Sequence, residues 1–269
     1  MTRKPTPSAK TVLITGASSG IGEALAHCFA QAHFNVVLVA RSQAKLQALA
    51  ELLARKYGIS ASVQTADLAR PGAPDDLRAS LQRQKQSIDV LVNCAGVLEQ
   101  GVFSDMEPSS HQGMIDLNVS ALTGMLSAFV PAMVKLGQGR VLNVASIAAF
   151  QPIPMLATYA ATKAYVLSLS ESLVEELRDT GVTITTLCPG ITATNMLTQA
   201  AGANQKLSNL PDFLVSDVHA VAAQGFAACM RGDAICVPGA INRVVTIASR
   251  GTPKWLVRRM GGLLGRMSL

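Results

Sequence analysis

Short apolar runs rich in β-branched residues alternate with longer segments of helical periodicity along most of the chain. The strand-like runs lie at residues 11–15, 35–40, 62–66, 88–96, 139–146, 182–190 and 233–239. Between them, residues 21–32, 43–58 and 162–181 carry apolar side chains at helical spacing, and we expect the last helix to end at Gly181 as its C-cap. Strands that alternate with helices predict a parallel sheet covered on both faces, which also explains why the runs are almost continuously apolar. The pattern therefore predicts an α/β fold with a doubly wound parallel sheet of about seven strands.

The pattern also sets the domain organisation. No internal repeat or linker interrupts it, so we assign one domain to residues 10–250. Residues 1–9 are polar and basic, and we expect a flexible N-terminus there. Residues 191–215 break the alternation of strand and helix and predict a lid or insertion near a substrate. Residues 251–269 form a separate tail that is basic and amphipathic.

Composition narrows the class of protein. Hydrophobic residues make up 49% of the 269 positions and charged residues 15%, which favours a large buried core over disorder. No signal peptide and no uninterrupted apolar run of about 20 residues is seen, so we expect no transmembrane helix. The five dispersed cysteines indicate reduced thiols in a cytoplasmic protein. The net charge of +6 favours an anionic partner such as a nucleotide, an acyl-CoA, an acidic carrier protein or a membrane surface, and no basic-aromatic pattern points to nucleic acid.

The first strand-like run leads into a glycine-rich turn and a helix, in the segment TVLITGASSGIGEALA. Gly16, Gly20 and Gly22 would let the backbone approach a pyrophosphate, and the helix N-terminus would present free N–H groups to it. Ser18 and Ser19 would add hydroxyl contacts. The spacing differs from the commoner Gly-x-Gly-x-x-Gly, and the alternative is an ordinary tight turn between strand and helix.

The second strand-like run ends in LVARSQAK, about 20 residues after the turn, where an NAD-dependent enzyme usually has an acid that binds the ribose 2′-hydroxyl. This chain has no acid there, and Arg41 could pair with a 2′-phosphate. The sequence therefore favours NADP(H) over NAD(H). The alternative is that Arg41 is a solvated loop residue.

Tyr159 and Lys163 lie four residues apart in YAATK, one turn apart on the same face of a helix. A cationic lysine beside the phenol would favour the phenolate and lower a pKa that is ordinarily about 10. The tyrosine could then act as a general acid or base nearer neutral pH. The alternative is a surface helix with one aromatic and one solvated lysine.

These motifs and several others, in the same order, resemble the short-chain dehydrogenase/reductase family over roughly residues 10–240. TGASSGIG resembles the family's cofactor turn, and NCAG resembles its Asn-Asn-Ala-Gly motif with Cys94 in place of the second asparagine. The resemblance implies a Rossmann-like fold and four catalytic residues: Asn118, Ser146, Tyr159 and Lys163. It implies cofactor contacts by Gly16, Ser18, Ser19, Gly20, Ile21, Gly22, Arg41, Asp67, Leu68, Asn93, Ala95, Gly96, Tyr159, Lys163, Pro189, Gly190, Thr192 and Thr194.

The resemblance also implies a mechanism. Tyr159 would exchange a proton with the oxygen of a carbonyl or alcohol substrate, and Lys163 would lower the pKa of Tyr159 and bind the nicotinamide ribose. Ser146 would hold the substrate oxygen, and Asn118 would anchor a water that connects Lys163 to solvent. The helix that bears Tyr159 and the one before it would pack against another copy, so we expect a homodimer or homotetramer.

Three functions remain to be distinguished. The leading one is an NADP(H)-dependent carbonyl reductase or alcohol dehydrogenase. A non-catalytic nucleotide sensor would be expected to lose the tyrosine or the lysine, and an epimerase or dehydratase usually has a longer C-terminal substrate region.

The expected pocket regions, at 97–104, 148–156 and 191–215, are largely apolar or uncharged, which favours bulky apolar carbonyls over sugars and organic acids. Steroid-like, fatty-acyl and small aromatic ketones stay open, and the flanks of Tyr159 resemble bacterial reductases related to 17β-hydroxysteroid and 3-oxoacyl reductases.

The remaining features are less specific. The four histidines are scattered, so we expect no metal site. Met114, Met125 and Met133 lie in a helical region and indicate core or subunit packing. The tail places five apolar residues on one helical face among basic ones: Leu256, Met260, Leu263, Leu264 and Met267. The tail could lie on an anionic membrane surface, bind an acidic partner, or pack on its own subunit. The expected location of the protein is therefore the cytoplasm, with peripheral contact at the membrane surface as the alternative.

Overall fold

The structure, a computed structural model, describes residues 9–192, 215–239 and 242. The N-terminal segment expected at 1–9, the lid expected at 191–215 and the tail expected at 251–269 therefore lie wholly or largely outside the described residues. Within these ranges seven strands form one sheet: β1 Thr11–Thr15, β2 Asn35–Ala40, β3 Ala61–Thr65, β4 Val90–Asn93, β5 Gly139–Val144, β6 Val182–Leu187 and β7 Ile235–Cys236. All neighbours are parallel, in the order β3-β2-β1-β4-β5-β6-β7. This confirms the predicted doubly wound sheet.

Helices cover both faces of the sheet. Over the described ranges they are α1 Gly20–Gln31, α2 Gln43–Tyr57, α3 Ala73–Arg83, α4 Pro108–Ile115, α5 Leu122–Leu136, α6 Ala157–Glu176 and α7 Val218–Arg231. A π-helical turn, Asp116–Ala121, joins α4 to α5, and short 3₁₀ turns lie at Phe103–Asp105 and Ile147–Phe150. The first two helices begin and end within about one residue of their predicted bounds.

The predicted end of the Tyr159 helix is wrong. α6 ends at Glu176, and the chain then turns through Asp179 (φ 68°) and Gly181 (φ 79°) into β6. A Cβ on Gly181 would overlap the carbonyl oxygen of Gly137. Position 181 therefore requires glycine because its φ is positive and because the backbone passes close to Gly137, and not because it caps a helix.

Alternate residues of the buried strands face two different cores, because successive strand side chains point to opposite faces. Along β1, Val12 and Ile14 pack in the layer of α1, α2 and α7. Leu13, between them, packs in the layer of α3, α5 and α6. Burial on both faces leaves the carboxyl edge of the sheet as the place where polar side chains from several strands can meet.

The stretch from α4 to α5, Pro108–Leu136, is helical throughout its 29 residues. Its length and the mean hydropathy of 1.6 over an 18-residue window within it would suffice to cross a membrane, by length and composition only. Met125 and Met133 are 1% exposed in the core beneath α5, and Met114 is buried near Tyr159. The three methionines therefore pack in the interior, which confirms the core role expected for them.

Candidate active site

The turns that follow β1 and β4 pack against each other at the carboxyl edge of the sheet. Gly16 has φ 67°, and a methyl group on it would lie 2.9 Å from both Cα and N of Ala95. A methyl group on Gly22, in the first turn of α1, would overlap the carbonyl oxygen of Gly16. Only glycine fits at either position, and the resulting bare backbone surface is what a pyrophosphate needs in order to approach.

Thr15 ties these two turns together, and the sequence reasoning missed it. Its Oγ1 accepts hydrogen bonds from the N–H groups of Cys94 and Ala95, both at 3.0 Å, and donates to the carbonyl oxygen of Val92 at 3.2 Å. The hydroxyl is 2% exposed at the end of an apolar strand. A polar residue at the end of an apolar strand, directly before the glycine-rich turn, is the sequence signal that could have identified Thr15.

Several predicted cofactor ligands have free donors. The hydroxyls of Ser18 and Ser19 and the guanidinium of Arg41 make no hydrogen bond or ion pair within the described ranges. Ser19 is the N-cap of α1, and Gly20 follows it with φ 59°, so the N-terminal N–H groups of α1 face the same turn. Arg41 is exposed directly after β2. A glycine cradle, two hydroxyls and an unpaired cation together fit a phosphorylated dinucleotide.

Asp67 and Leu68, the two expected cofactor contacts that follow β3, differ in their exposure to solvent. Asp67 is exposed after β3, and its Oδ1 accepts a hydrogen bond from the N–H of Ala69 at 3.1 Å. The side chain of Leu68 is 6% exposed and belongs to the core beneath α3. Any cofactor contact of Leu68 would therefore be made by its backbone.

Asn93 lies below the site in a buried ladder of side chains. Its Nδ2 donates to Oδ1 of Asn143 at 2.9 Å, and Nδ2 of Asn143 donates to Oγ of Ser170 at 2.9 Å. Ser170 in turn donates to the carbonyl oxygen of Val166 within α6. The ladder links β4, β5 and α6, and it supports the turn of Ala95 and Gly96 that follows Asn93.

Asn118 lies in the π-helical turn and connects two parts of the site. Its Oδ1 accepts from the N–H of Val97, and its Nδ2 donates to the carbonyl oxygen of Val97, both at 2.9 Å. Nδ2 also donates to Oγ1 of Thr162 at 3.1 Å, and Thr162 donates to the carbonyl oxygen of Tyr159 at 2.7 Å. The π turn thus positions Asn118 against both the loop after Gly96 and the helix of Tyr159. Thr162, inside YAATK, was not singled out from the sequence.

The other three predicted catalytic residues lie beside it. Ser146 caps the 3₁₀ turn after β5, and its Oγ accepts from the N–H of Ala148 at 3.1 Å. Lys163 is buried, donates from Nζ to the carbonyl oxygen of Val144 at 3.0 Å, and lies 5.7 Å from the ring centre of Tyr159. A methyl group on Gly96 would lie 3.5 Å from Nζ and 3.1 Å from Oδ1 of Asn118. The structure therefore brings all four residues together with the turn after β4.

The pKa shifts of Tyr159 and Lys163 are governed by burial. Burial raises the pKa of Tyr159, and a side-chain hydrogen bond with Ser146 offsets part of that rise. Burial lowers the pKa of Lys163 to about 8, although the thiols of Cys94 and Cys188 act in the opposite direction. The net shift of the Tyr159 pKa is therefore opposite to the one expected from the sequence, because loss of water contact is its largest cause.

The depressed pKa of Lys163 predicts a pH-dependent stability. Above about pH 8 the folded protein releases a proton that the unfolded chain keeps up to its ordinary pKa of 10.5. Since the unfolded state then binds more protons, the free energy of unfolding of the wild type, minus that of Lys163→Met, will rise from about pH 8 to 10.5. Urea denaturation at stepped pH measures this difference. Lys45→Met, which removes an exposed ammonium on α2, should follow the wild-type profile, whereas a flat difference for Lys163→Met would contradict the assignment.

Next to Ser146, the turn after β6 completes the edge. The carbonyl oxygen of Pro189 accepts from the N–H of Ile147 at 2.9 Å, so this turn is bound to the serine turn. Thr192 is buried, and its Oγ1 donates to the carbonyl oxygen of Gly190 at 3.0 Å. Thr194, the last predicted cofactor residue, lies outside the described residues.

An apolar wall, formed by the residues that follow Gly96 and those that precede α6, packs in one cluster with Tyr159. The partly buried hydrophobic residues packed around it are Val97, Leu98, Met106, Ile153 and Leu156. Two loops carry this wall, and the N–H of Gly101 joins them by donating to the carbonyl oxygen of Met155 at 3.0 Å. Met155 has φ 64°, a left-handed conformation that is costly for a non-glycine residue and is found mostly where the surroundings impose it.

Comparison with known proteins agrees with this geometry. The family model for short chain dehydrogenase matches residues 10–205. An uncharacterized oxidoreductase of Staphylococcus epidermidis is 35% identical over 187 residues, which cover 70% of this chain and 80% of the relative.

Two solved structures extend the likeness to nearly the whole chain. A short-chain dehydrogenase from Sphingobium yanoikuyae in complex with NADPH is 33% identical, with a TM-score of 0.78 over 90% of this chain and 93% of the other. The bulky-bulky ketone specific alcohol dehydrogenase from Comamonas testosteroni is 29% identical, with a TM-score of 0.76 over 90% and 92%. With the family model spanning most of its length, this chain belongs to the short-chain dehydrogenase/reductase family of oxidoreductases.

Proposed function

We propose that the protein is an NADP(H)-dependent oxidoreductase that interconverts a carbonyl group and a secondary alcohol on a largely apolar substrate. The observation that carries the proposal is the convergence of Tyr159, Ser146, Lys163 and Asn118 beside the glycine cradle. A sensor that only binds nucleotide would not need a buried tyrosine and a buried lysine at this edge. The reaction class follows from a proton donor placed next to a dinucleotide site.

Each residue has a role in the proposed mechanism. Bound NADP(H) would supply the hydride that adds to the carbonyl carbon during reduction. Tyr159 donates its phenolic proton to the carbonyl oxygen, and Ser146 donates a hydrogen bond to the same oxygen as negative charge develops on it. Lys163, with its pKa lowered to about 8, can give up a proton near neutral pH and so re-protonate the site. Asn118 holds the loop of Val97 against the helix of Tyr159. Oxidation of an alcohol uses the same groups in reverse.

The substrate is assigned from the apolar wall. Tyr159 belongs to a cluster with apolar side chains from both loops. An organic acid or a phosphorylated sugar would leave its charge without a partner against such a wall. A bulky ketone would instead bury its apolar surface there. The Comamonas enzyme, whose name states specificity for bulky-bulky ketones, supports this class.

The cofactor preference is tested first. Arg41→Ala will weaken NADPH binding at least tenfold and leave NADH binding unchanged, because only the 2′-phosphate offers a charge partner to the guanidinium, and such a contact contributes about 1.5–3 kcal/mol. Nicotinamide fluorescence titration measures both affinities. Arg55→Ala, which removes an exposed arginine from the last turn of α2, is the matched control.

Turnover separates enzyme from sensor. The wild type should oxidise NADPH when bulky apolar ketones are supplied and should respond weakly to sugars. Preference for NADH would overturn the cofactor assignment. Tight NADPH binding without reduction of any ketone would favour the sensor instead.

Two further predictions concern assembly and location. We propose a homodimer that pairs the exposed face between α4, α5 and α6, where Phe103, Ile115 and Tyr165 are 65%, 38% and 39% exposed. Exposed aromatic and aliphatic side chains on neighbouring elements are typical of such interfaces. A cytoplasmic location remains a proposal, and the tail that would add a membrane or acidic-partner contact lies outside the described residues.

A further inference from the structure

Asn242 lies between the turns that follow β6 and β7. Its Nδ2 donates to the carbonyl oxygen of Pro238 at 2.8 Å. A methyl group on Gly190 would lie 2.5 Å from Nδ2 and 2.8 Å from Oδ1 of Asn242, and one on Gly239 would lie 3.3 Å from Nδ2. The amide of Asn242 therefore packs directly against the Cα atom of Gly190.

Among the described residues, the pairing of β7 with β6 covers Thr186 and Leu187, and the N–H of Cys188 donates to the carbonyl oxygen of Cys236 directly after it. Asn242 lies beyond this pairing, where it donates a hydrogen bond to the β7 turn and brings its amide against the β6 turn.

The contacts fix the β6 turn from three directions. Ile147 donates to the carbonyl oxygen of Pro189, Thr192 donates to that of Gly190, and Asn242 contacts the Cα atom of Gly190. The first contact sets the turn relative to Ser146, and the second closes the turn on itself. The third limits how far the turn can move away from the catalytic edge.

We propose that Asn242 is a positioning residue for the nicotinamide half of the cofactor and acts through Gly190. This rests on the proposed function: Pro189 and Gly190 are expected cofactor contacts, and their turn is bound to the Ser146 turn, where the hydride would reach the substrate. An asparagine fits the position because its amide offers a donor to Pro238 and is uncharged where it meets Gly190. Arg41 and Asp67, which are also expected cofactor contacts, lie at the ends of β2 and β3, four and five positions away from β6 in the order of the sheet.

The test compares a whole cofactor with its adenosine half. Asn242→Ala should raise the Kd for NADPH about fivefold to tenfold, the size expected for loss of one hydrogen bond and its packing. The Kd for adenosine 2′,5′-bisphosphate should change less than about twofold, since a local change at Gly190 does not reach the adenine side. Asn35→Ala is the matched control, because it removes an amide that bonds Ser60 and Ala9 at the opposite edge of the sheet.

A double-mutant cycle tests the contact itself. Gly190→Ala should weaken NADPH binding in the wild type, because its methyl group meets the amide of Asn242. In the Asn242→Ala background the same change should cost at least about threefold less, since the amide is gone. Additive effects, an Asn242→Ala protein that binds NADPH like the wild type, or equal losses for both ligands would overturn the proposal. A wild type that binds neither NADPH nor NADH would overturn the proposed function and this proposal with it.

Discussion

Tyr159→Phe will lower kcat by at least ~10²-fold and leave NADPH binding close to that of the wild type. The substitution keeps the ring that packs with Met114 and Ala160 and deletes only the proton that the proposed mechanism transfers to the substrate. The ring is 8% exposed, so water cannot readily replace the hydroxyl as proton donor. Steady-state reduction of a ketone and fluorescence titration of NADPH measure the two quantities separately.

Tyr165→Phe provides the matched control for this result. Tyr165 lies on the same helix, is 39% exposed, and its hydroxyl shares a 3.0 Å hydrogen bond with Thr123. Its loss removes a phenol of the same type without touching the catalytic edge, so kcat should stay within about twofold of the wild type, as expected for a surface change. Near wild-type turnover by Tyr159→Phe would contradict the proposed mechanism.

Gly22→Ala will abolish measurable NADPH binding and lower the melting temperature. An added methyl group would overlap the carbonyl oxygen of Gly16, and backbone on both sides leaves no flexible side chain to yield. Overpacking of this kind costs about 1–3 kcal/mol, which exceeds the ~1 kcal/mol that alanine gains over glycine in a helix. α1 must then shift away from the turn, so the cradle for the pyrophosphate opens. Thermal denaturation and NADPH titration of the same samples report both effects.

Gly113→Ala separates this clash from a general effect of the substitution. Gly113 also lies in a helix, α4, but a methyl group there would meet no atom within 4 Å. We expect its melting temperature to equal or exceed that of the wild type, by up to the ~1 kcal/mol of helix propensity. A Gly22→Ala protein that melts and binds NADPH like the wild type would show that the turns after β1 and β4 do not pack as described.

The sheet could be predicted from sequence, and a candidate catalytic set could be proposed, because both have local signals. A strand buried on two faces must be apolar throughout, so β1, β2 and β6 stand out as continuous runs and begin where predicted. Glycine spacing and the Tyr-x-x-x-Lys spacing are likewise properties of a few consecutive residues, and chain order places them at the carboxyl edge of parallel strands. The end of α6 was misplaced because the positive φ of Gly181 serves a crossing with Gly137, which is distant in sequence.

The sequence by itself determined the fold class, the strand positions and which residues could carry the chemistry, because those follow from burial and from short spacings. Only the tertiary structure decided how these residues act on one another. The hydroxyl of Thr15 accepts hydrogen bonds from the turn after β4, which lies 79 and 80 residues further along the chain. Asn118 donates a hydrogen bond to Thr162 across 44 residues, and Asn242, which follows β7, packs against Gly190. The raised pKa of Tyr159 also has burial by distant segments as its largest cause. Contacts between residues far apart in the chain leave no periodic trace in it, which is why these features emerge only when the chain is folded.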